Sequence, residues 1–270
     1  MGIKSVPNNP NYVFEAKTVK SGPLKLTFEV LKDILTDANL VFDGEGVKML
    51  EMDTTHIVLA NLTLKTDEFE YYYCAPGKRY VCGINLNNFH KIMKTIGNDD
   101  IISFYLDIDE PNELGMSIEN STTHSVKNIK FKLLDLDETP YNIPPANFTK
   151  VITIPTNMLQ KIFRDFSPLT ENIEIKSINN QLIFSCDCAI GHIEEIISEN
   201  NNSLSVKDTS ETEIIQGVFK LKHLVTFTKG TNLCQHVELL LKNDYPLILN
   251  YKVASLGELI LCLAPKLNNT

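Results

Sequence analysis

The chain has 270 residues, 43% of them hydrophobic and 22% charged, enough for two domains of ordinary size. Its formal net charge of -9 excludes a surface that binds nucleic acid all over, while leaving room for a local basic face. No uncharged apolar run approaches the roughly 18 residues of a membrane-spanning helix, and the opening MGIKSVPNNPNY lacks the apolar centre of a signal peptide.

Residues 1–12 are expected to form a disordered lead. Val6 stands where a myristoylation signal needs Ser or Thr. Over 24–36, Leu24, Phe28, Leu31 and Leu35 recur at i, i+4, i+7 and i+11, which predicts a helix with one buried stripe. Its opposite stripe holds Lys25, Glu29, Lys32 and Thr36. Strands are predicted at 40–42, 47–52 and 56–64, where apolar and polar residues largely alternate, as in Ile57-Val58-Leu59-Ala60-Asn61-Leu62-Thr63-Leu64. A second helix over 86–96 buries Phe89, Ile92, Met93 and Ile96 and turns Asn87, His90, Lys91 and Lys94 outward. Strands at 101–106 and 114–118 close this half.

Residues 133–145 carry Pro140, Pro144 and Pro145 beside the acidic Asp135, Asp137 and Glu138. Proline cannot donate to a ladder and restricts its neighbour, so this is an extended connector. The second half repeats the first in order. A helix over 157–166 buries Leu159, Ile162, Phe163 and Phe166 and exposes Asn157, Gln160, Lys161 and Arg164. Strands follow at 173–175, 181–186 and 191–197. A helix over 221–228 then buries Leu221, Leu224 and Val225 and exposes Lys222, His223, Thr226 and Lys229, and strands at 237–241 and 247–251 finish. Leu31-Lys32-Asp33 aligns with Phe163-Arg164-Asp165. The expected fold class is α+β: two copies of one domain, each with two helices on one side of antiparallel sheet. The expected boundaries are 13–132, a connecting loop at 133–149, and 150–270.

Each predicted helix exposes basic residues, in a chain that is otherwise acidic. If sheet covers one side of all four helices, the exposed stripes can share one basic surface. Flexible cations without interleaved aromatics suit phosphate contact without base readout, which permits sliding. The six cysteines form no CxxC pair and mostly sit in apolar runs, as reduced thiols do. Cys186 and Cys188 share a strand face with only His192 nearby, and the reading adopted there is strand packing, with no metal and no cofactor. Ala75-Pro76-Gly77-Lys78-Arg79 lacks the upstream Gly and following Ser/Thr of a Walker A loop, and no G-x-S-x-G or H-E-x-x-H occurs. No enzyme activity is expected.

Phe14-Glu15-Ala16, the run 52–57, the turn 97–100, the segment 134–137 with Ile143-Pro144, and Leu263-Ala264-Pro265-Lys266 occur in an order and spacing that resemble the proliferating-cell-nuclear-antigen (PCNA) family of DNA sliding clamps. Phe14-Glu15-Ala16 resembles the family's opening strand, and Met52-Asp53-Thr54-Thr55-His56-Ile57 its Ser-Met-Asp-Ser-Ser-His-Val run. Gly97-Asn98-Asp99-Asp100 resembles the turn after its second helix. Leu134-Asp135-Leu136-Asp137 with Ile143-Pro144 resembles its connecting loop, and Leu263-Ala264-Pro265-Lys266 its tail.

The resemblance implies the DNA clamp fold, a pseudo-sixfold homotrimeric ring with helices lining the hole. By position it implies DNA-facing Lys25, Lys32, Lys91, Lys94, Lys161, Arg164 and Lys229, to which periodicity adds Lys222. It implies head-to-tail trimer contacts near 125–132 and 188–196. It implies a partner-peptide pocket at Met52, His56, Ile57, Tyr141, Ile143, Pro144, Ala264, Pro265 and Leu267. Tyr141 and Asn142 replace the usual Leu and Gly, Cys262 replaces a common aromatic, and the lysine that cellular members use for ubiquitin attachment stands here as Asn179. The implied function is a polymerase processivity factor that encircles duplex DNA and tethers partners by effective concentration. Its implied partners are double-stranded DNA, a replicative DNA polymerase, a clamp loader and other peptide-bearing proteins, with no membrane. The implied place is the nucleus or the replication compartment of a large DNA virus, whose AT-rich genome would suit the Asn-, Ile- and Lys-rich composition. The competing readings are a subunit of a heteromeric checkpoint clamp and a hydrolase on a duplicated scaffold.

Overall fold

A computed structural model of the chain describes residues 7–138, 141, 148, 150–200, 204–208 and 214–266. The first half runs β1 (Tyr12–Thr18), α1 (Ser21–Leu31), β2 (Asp37–Asp43), β3 (Gly46–Met52), β4 (Val58–Lys65), β5 (Tyr71–Cys74), β6 (Tyr80–Asn85), α2 (Leu86–Met93), β7 (Ile101–Asp107), β8 (Glu113–Asn120) and β9 (Ser125–Lys132). The second runs β10 (Lys150–Pro155), α3 (Thr156–Phe166), β11 (Asn172–Ile178), β12 (Gln181–Cys188), β13 (Gly191–Ser198), β14 (Ser205–Asp208), β15 (Ile215–Lys220), α4 (Leu221–Phe227), β16 (His236–Leu241), β17 (Leu247–Val253) and β18 (Gly257–Leu263). The two series are the same sequence of strands and helices, so the predicted duplication is complete at the level of elements.

The chain forms two units. One contains the residues up to Thr54, Ala60–Tyr141 and Val253–Leu259; the other contains Thr55–Leu59, Asn142–Lys252 and the residues from Ile260. In the first unit the strands lie in the orders β5-β1-β7-β8-β9 and β4-β3-β2-β6. In the second they lie in the orders β13-β12-β11-β15 and β14-β10-β16-β17. The strand pairs with a defined register are all antiparallel, from Phe14 opposite Leu106 in the first unit to Phe184 opposite Glu195 in the second. Among the described residues no helix is long and apolar enough to cross a membrane.

The predicted helix stripes are buried where period 3.6 puts them. Leu24, Phe28, Leu31 and Leu35 are buried in the first unit, and Leu159, Ile162, Phe163 and Phe166 in the second. In the first core Phe14 stacks on Phe42 at 4.0 Å, and Phe28 meets Phe89 edge-on at 4.7 Å, joining α1 to α2. Phe89 also meets Phe131 at 5.6 Å, which seats α2 on β9. In the second, Phe163 of α3 meets Phe184 of β12 at 5.7 Å.

Several predicted bounds shift for local reasons. The first helix starts at Ser21, whose hydroxyl donates to Gly97 O (2.9 Å) and Asn98 O (2.8 Å), and Pro23 sits in the first turn where it is tolerated. It ends at Leu31 rather than 36, because Asp33 N and Ile34 N turn to Val30 O and Leu31 O. The second ends at Met93, and its start is capped by Asn85 Oδ1, which accepts from Asn88 N at 3.0 Å. His56 lies in a turn with φ 55°, so β4 begins at Val58. Asn179 and Asn180, with φ 46° and 59°, make the two-residue hairpin joining β11 to β12, a conformation asparagine adopts more readily than most residues. Strands β5, β6, β10, β14, β15 and β18 were not predicted. Residues 1–6 lie outside the described residues, and at 9–12 a turn closed by Tyr12 N to Asn9 O (3.0 Å) leads into β1.

Candidate nucleic-acid interface

Two helices in each unit carry the predicted cations. Lys91 on α2 and Lys94 at its C-cap are exposed, and Lys91 Nζ reaches back to Asn88 Oδ1 at 3.1 Å. On α3, Lys161 and Arg164 are exposed; Lys222 is exposed on α4, and Lys229 on the 3-10 helix Thr228–Asn232 that follows. Lys25 and Lys32 are half-buried. Lys25 Nζ donates to Ile96 O at 3.2 Å, and Lys32 pairs with Asp33 at 2.6 Å just past the end of α1. The helix faces also expose Glu29 and Asp165, so positive charge predominates without being exclusive.

One predicted outward residue is not outward. His90 is 6% exposed, on the buried side of α2, and its Nε2 is buried without a hydrogen-bond partner. Burial holds its imidazole below the ordinary histidine value, and the nearby Lys32 and Lys94 push the same way against Glu29 and Asp33. Two predicted core positions, Ile92 and Val225, are only half-buried, while Phe227 is fully buried at the end of α4. A cation the helix periodicity did not reach is Lys127 of β9, whose Nζ lies 3.5 Å from Thr95 Oγ1 just beyond α2.

The helices are held rigidly beneath these side chains. Gln160 Nε2 donates to Thr228 O at 2.9 Å, tying α3 to the segment that carries Lys229, and the buried Thr156 hydroxyl donates to Cys234 O at 2.9 Å. The arrangement presents point charges on fixed helices. Exposed ammonium and guanidinium groups of this kind are suited to phosphate contact without base readout.

The predicted partner pocket is described in part. In the second unit Ala264 N donates to Ile57 O at 3.0 Å, and Lys266 N donates to Val218 O at 2.7 Å, fixing the tail on either side of Pro265. Pro265, Gln216, Val218, Asn243 and Tyr245 line an open groove of 680 Å³. Tyr245 is a wall that the sequence pattern did not indicate: its ring meets Phe148 edge-on at 5.6 Å, and Lys242 Nζ lies 5.7 Å from its centre. His56 is exposed. In the first unit Met52 is half-buried, and Tyr141 lines a groove of 660 Å³ with Asn39, Val41, Glu51, Arg79 and Glu138. There Glu51 accepts from Asn39 N at 2.9 Å, yet burial, with Glu138 nearby, raises its carboxyl above the usual value. Ile143, Pro144 and Leu267 lie outside the described residues.

The predicted interface segments are also placed. Ser125–Lys132 is β9, the last strand of its sheet. Of 188–196, Cys188 closes β12 and donates its thiol to Gly191 O at 3.2 Å; the edge strand itself is β13. His192 Nδ1 lies 2.9 Å from Asp187 Oδ1.

Comparison with known proteins matches residues 13–140 to the family model of the proliferating cell nuclear antigen N-terminal domain, and residues 142–266 to that of its C-terminal domain. A similar protein is the probable DNA polymerase sliding clamp 1 of Paramecium bursaria Chlorella virus 1. It is 29% identical over 265 residues, covering 97% of this chain and 100% of the relative.

Proposed function

The chain belongs to the proliferating cell nuclear antigen family of sliding clamps, and from that premise we propose that three copies close head to tail into a ring around duplex DNA. Clamps of this family are non-enzymatic scaffolds, so the function lies in topological linkage. In this ring the domains at 13–132 and 150–270, joined through 133–149, alternate into a pseudo-sixfold wall of the DNA clamp fold. Their helices line the hole. Lys25, Lys32, Lys91, Lys94, Lys161, Arg164, Lys222 and Lys229 face the phosphates, while the groove of the second unit beside Ala264 and Pro265 takes partner peptides.

The observation that carries this reading is the placing of exposed cations on helices α2, α3 and α4 in a protein whose net charge is -9. Counterions released from phosphate supply affinity without sequence preference, and the acidic remainder discourages DNA from binding elsewhere. A replicative polymerase tethered through its peptide stays near the primer end by effective concentration. A loader opens and closes the ring, in the nucleus or in the replication compartment of a large DNA virus. A homotrimer is preferred over a heteromeric checkpoint ring because the tail Leu263-Ala264-Pro265-Lys266 is retained.

The test is polymerase processivity on a primed circular template with a clamp loader and this chain. Long products that depend on the chain are expected, and they disappear when the template is linear with open ends. Product lengths unaffected by the chain would reject the proposal.

A further inference from the structure

We propose that the groove on the first unit is a subsite for a basic side chain, an arginine or lysine of a partner protein, received between the Glu51 carboxylate and the Asn39 side-chain oxygen. This rests on the partner binding proposed above and adds to it a second contact of defined chemistry.

The groove measures 660 Å³ and crosses β2 and β3, where Asn39, Val41, Leu50 and Glu51 line it. Its own cations are already engaged. Lys48 pairs with Asp43 at 3.0 Å and with Glu45, and Arg79 pairs with Glu138. Glu51 differs. Among the described residues no basic side chain pairs with it, and it accepts from Asn39 N at 2.9 Å. Burial and the neighbouring Glu138 both raise its carboxyl, and no cation acts against them. Asn39 is 7% exposed, with its Nδ2 3.5 Å from Asp137 O and its Oδ1 buried without a hydrogen-bond partner. Turning the amide over would set oxygen against the Asp137 carbonyl, so the unpartnered atom is the acceptor.

One end of the groove therefore offers two acceptors whose needs the chain does not meet. The guest must bring N–H groups and positive charge. An acidic guest would meet Glu51, Asp137 and Glu138 together. An apolar one would leave both acceptors dry, which costs more than it gains. A divalent ion needs more oxygens, and among the described residues no three His, Cys, Asp or Glu side chains are placed to hold one. A guanidinium or ammonium satisfies the carboxylate and the amide oxygen together. Its methylene stem can lie along Val41 and Leu50, both half-buried.

The wall beside the site is fixed and acidic. Leu134 N donates to Gly83 O at 2.8 Å, which seats the start of the connector on β6, and the exposed Asp135, Asp137 and Glu138 follow it. Arg79 stands at the rim, but Glu138 answers its charge, so the field over Glu51 stays negative. Arginine is favoured over lysine, because its planar fork reaches a carboxylate and a second oxygen at once.

Two measurements on the full chain test the subsite. In the first, the isotope-labelled chain is titrated with the acetylated tripeptide amide Leu-Arg-Leu and with its citrulline counterpart, which keeps the shape and lacks the charge. The backbone amide of Asn39 is followed by NMR. The arginine peptide is expected to shift that amide and to bind about tenfold or more tighter than the citrulline peptide. In the second, Glu51→Gln keeps an acceptor for Asn39 N and removes the charge. It is expected to weaken the arginine peptide about tenfold and to leave the citrulline peptide unchanged, with sedimentation like the wild type. The citrulline comparison is made on the wild type and stands whether or not the variant folds. No binding of the arginine peptide, equal affinity for the two peptides, or shifts that spare Asn39 overturn the subsite. Each of these leaves the processivity test untouched, so the ring and the subsite fail separately.

Discussion

Leu134 donates its backbone N–H to Gly83 O at 2.8 Å, and a Cβ at position 83 would come within 2.3 Å of Leu134 O. The start of the connector therefore lies on β6 at a backbone distance that only glycine permits. Asn39 Nδ2, 3.5 Å from Asp137 O, and the Arg79–Glu138 ion pair continue the attachment toward Tyr141. Gly83→Val is predicted to lift residues 133–138 from β6 and to cost about 1–3 kcal/mol through the forced shift. Amide hydrogen exchange at Leu134 checks this, and an amide as protected as in the wild type would refute it.

The exposed cations give a second prediction. Replacing Lys91, Lys94, Lys161 and Arg164 together with Ala should impair loading and sliding while leaving self-association intact. The salt dependence of DNA association should flatten, by about 0.9 in slope for each phosphate that is no longer neutralised. The measurement is retention on circular DNA across a salt series. Retention and slope equal to the wild type would remove these residues from the DNA face.

His90 links burial to pH. Its folded imidazole protonates less readily than the ordinary histidine value of about 6.5, so the unfolded chain binds more protons in the window below that value. Its contribution to stability is therefore fully present above about 6.5 and falls as the pH drops from there toward the lowered folded value. His90→Gln should make the Tm less sensitive to pH between about 6.5 and 5. Parallel Tm–pH curves for the two proteins would contradict it.

The thiols should separate by burial. Burial pushes Cys82 up to about 12 and Cys74 and Cys262 up to about 11, and raises Cys186 and Cys234 less far. Cys188 is half-exposed. The thiolate is the reactive form, so an aromatic disulfide reagent near pH 8 should label Cys188 first, and Cys188→Ser should remove the fast phase. A fast phase that survives that substitution would show the ordering to be wrong.

The groove beside the tail supplies a fifth prediction. Tyr245→Ala removes the ring that packs on Phe148 and walls the groove at Pro265. Binding of a peptide with aliphatic and aromatic anchors should weaken about tenfold or more, as truncated aromatic anchors do. Calorimetric titration reads the change; equal affinities would place the peptide elsewhere.

Helix cores were legible because period 3.6 selects Leu24, Phe28, Leu31 and Leu35, or Leu159, Ile162, Phe163 and Phe166, unambiguously. The misses have physical causes. His90 carries a polar ring, so pattern alone turned it outward, whereas the fold leaves it 6% exposed. Val225 yields to Phe227 because α4 is only seven residues long and tightens into a 3-10 turn. Strands such as β5, Tyr-Tyr-Tyr-Cys, and β6, with Gly83 at its centre, show too little alternation to be recognised. The exposed cations on the helices were readable from spacing. The position of Tyr245 was not, since a lone aromatic in a turn gives no periodic signal.

Seven of the eight cations assigned to the helix faces are lysines, and only Arg164 is an arginine. A guanidinium grips phosphate through two parallel bonds in a fixed plane, whereas an ammonium is a compact, strongly hydrated charge on a flexible stem. A lysine-lined bore would trade water for phosphate and back without breaking a directional pair at each step. Friction along the duplex would then be set mainly by the hydration of ammonium groups. Exchanging these lysines for arginines would keep the charge and raise the drag.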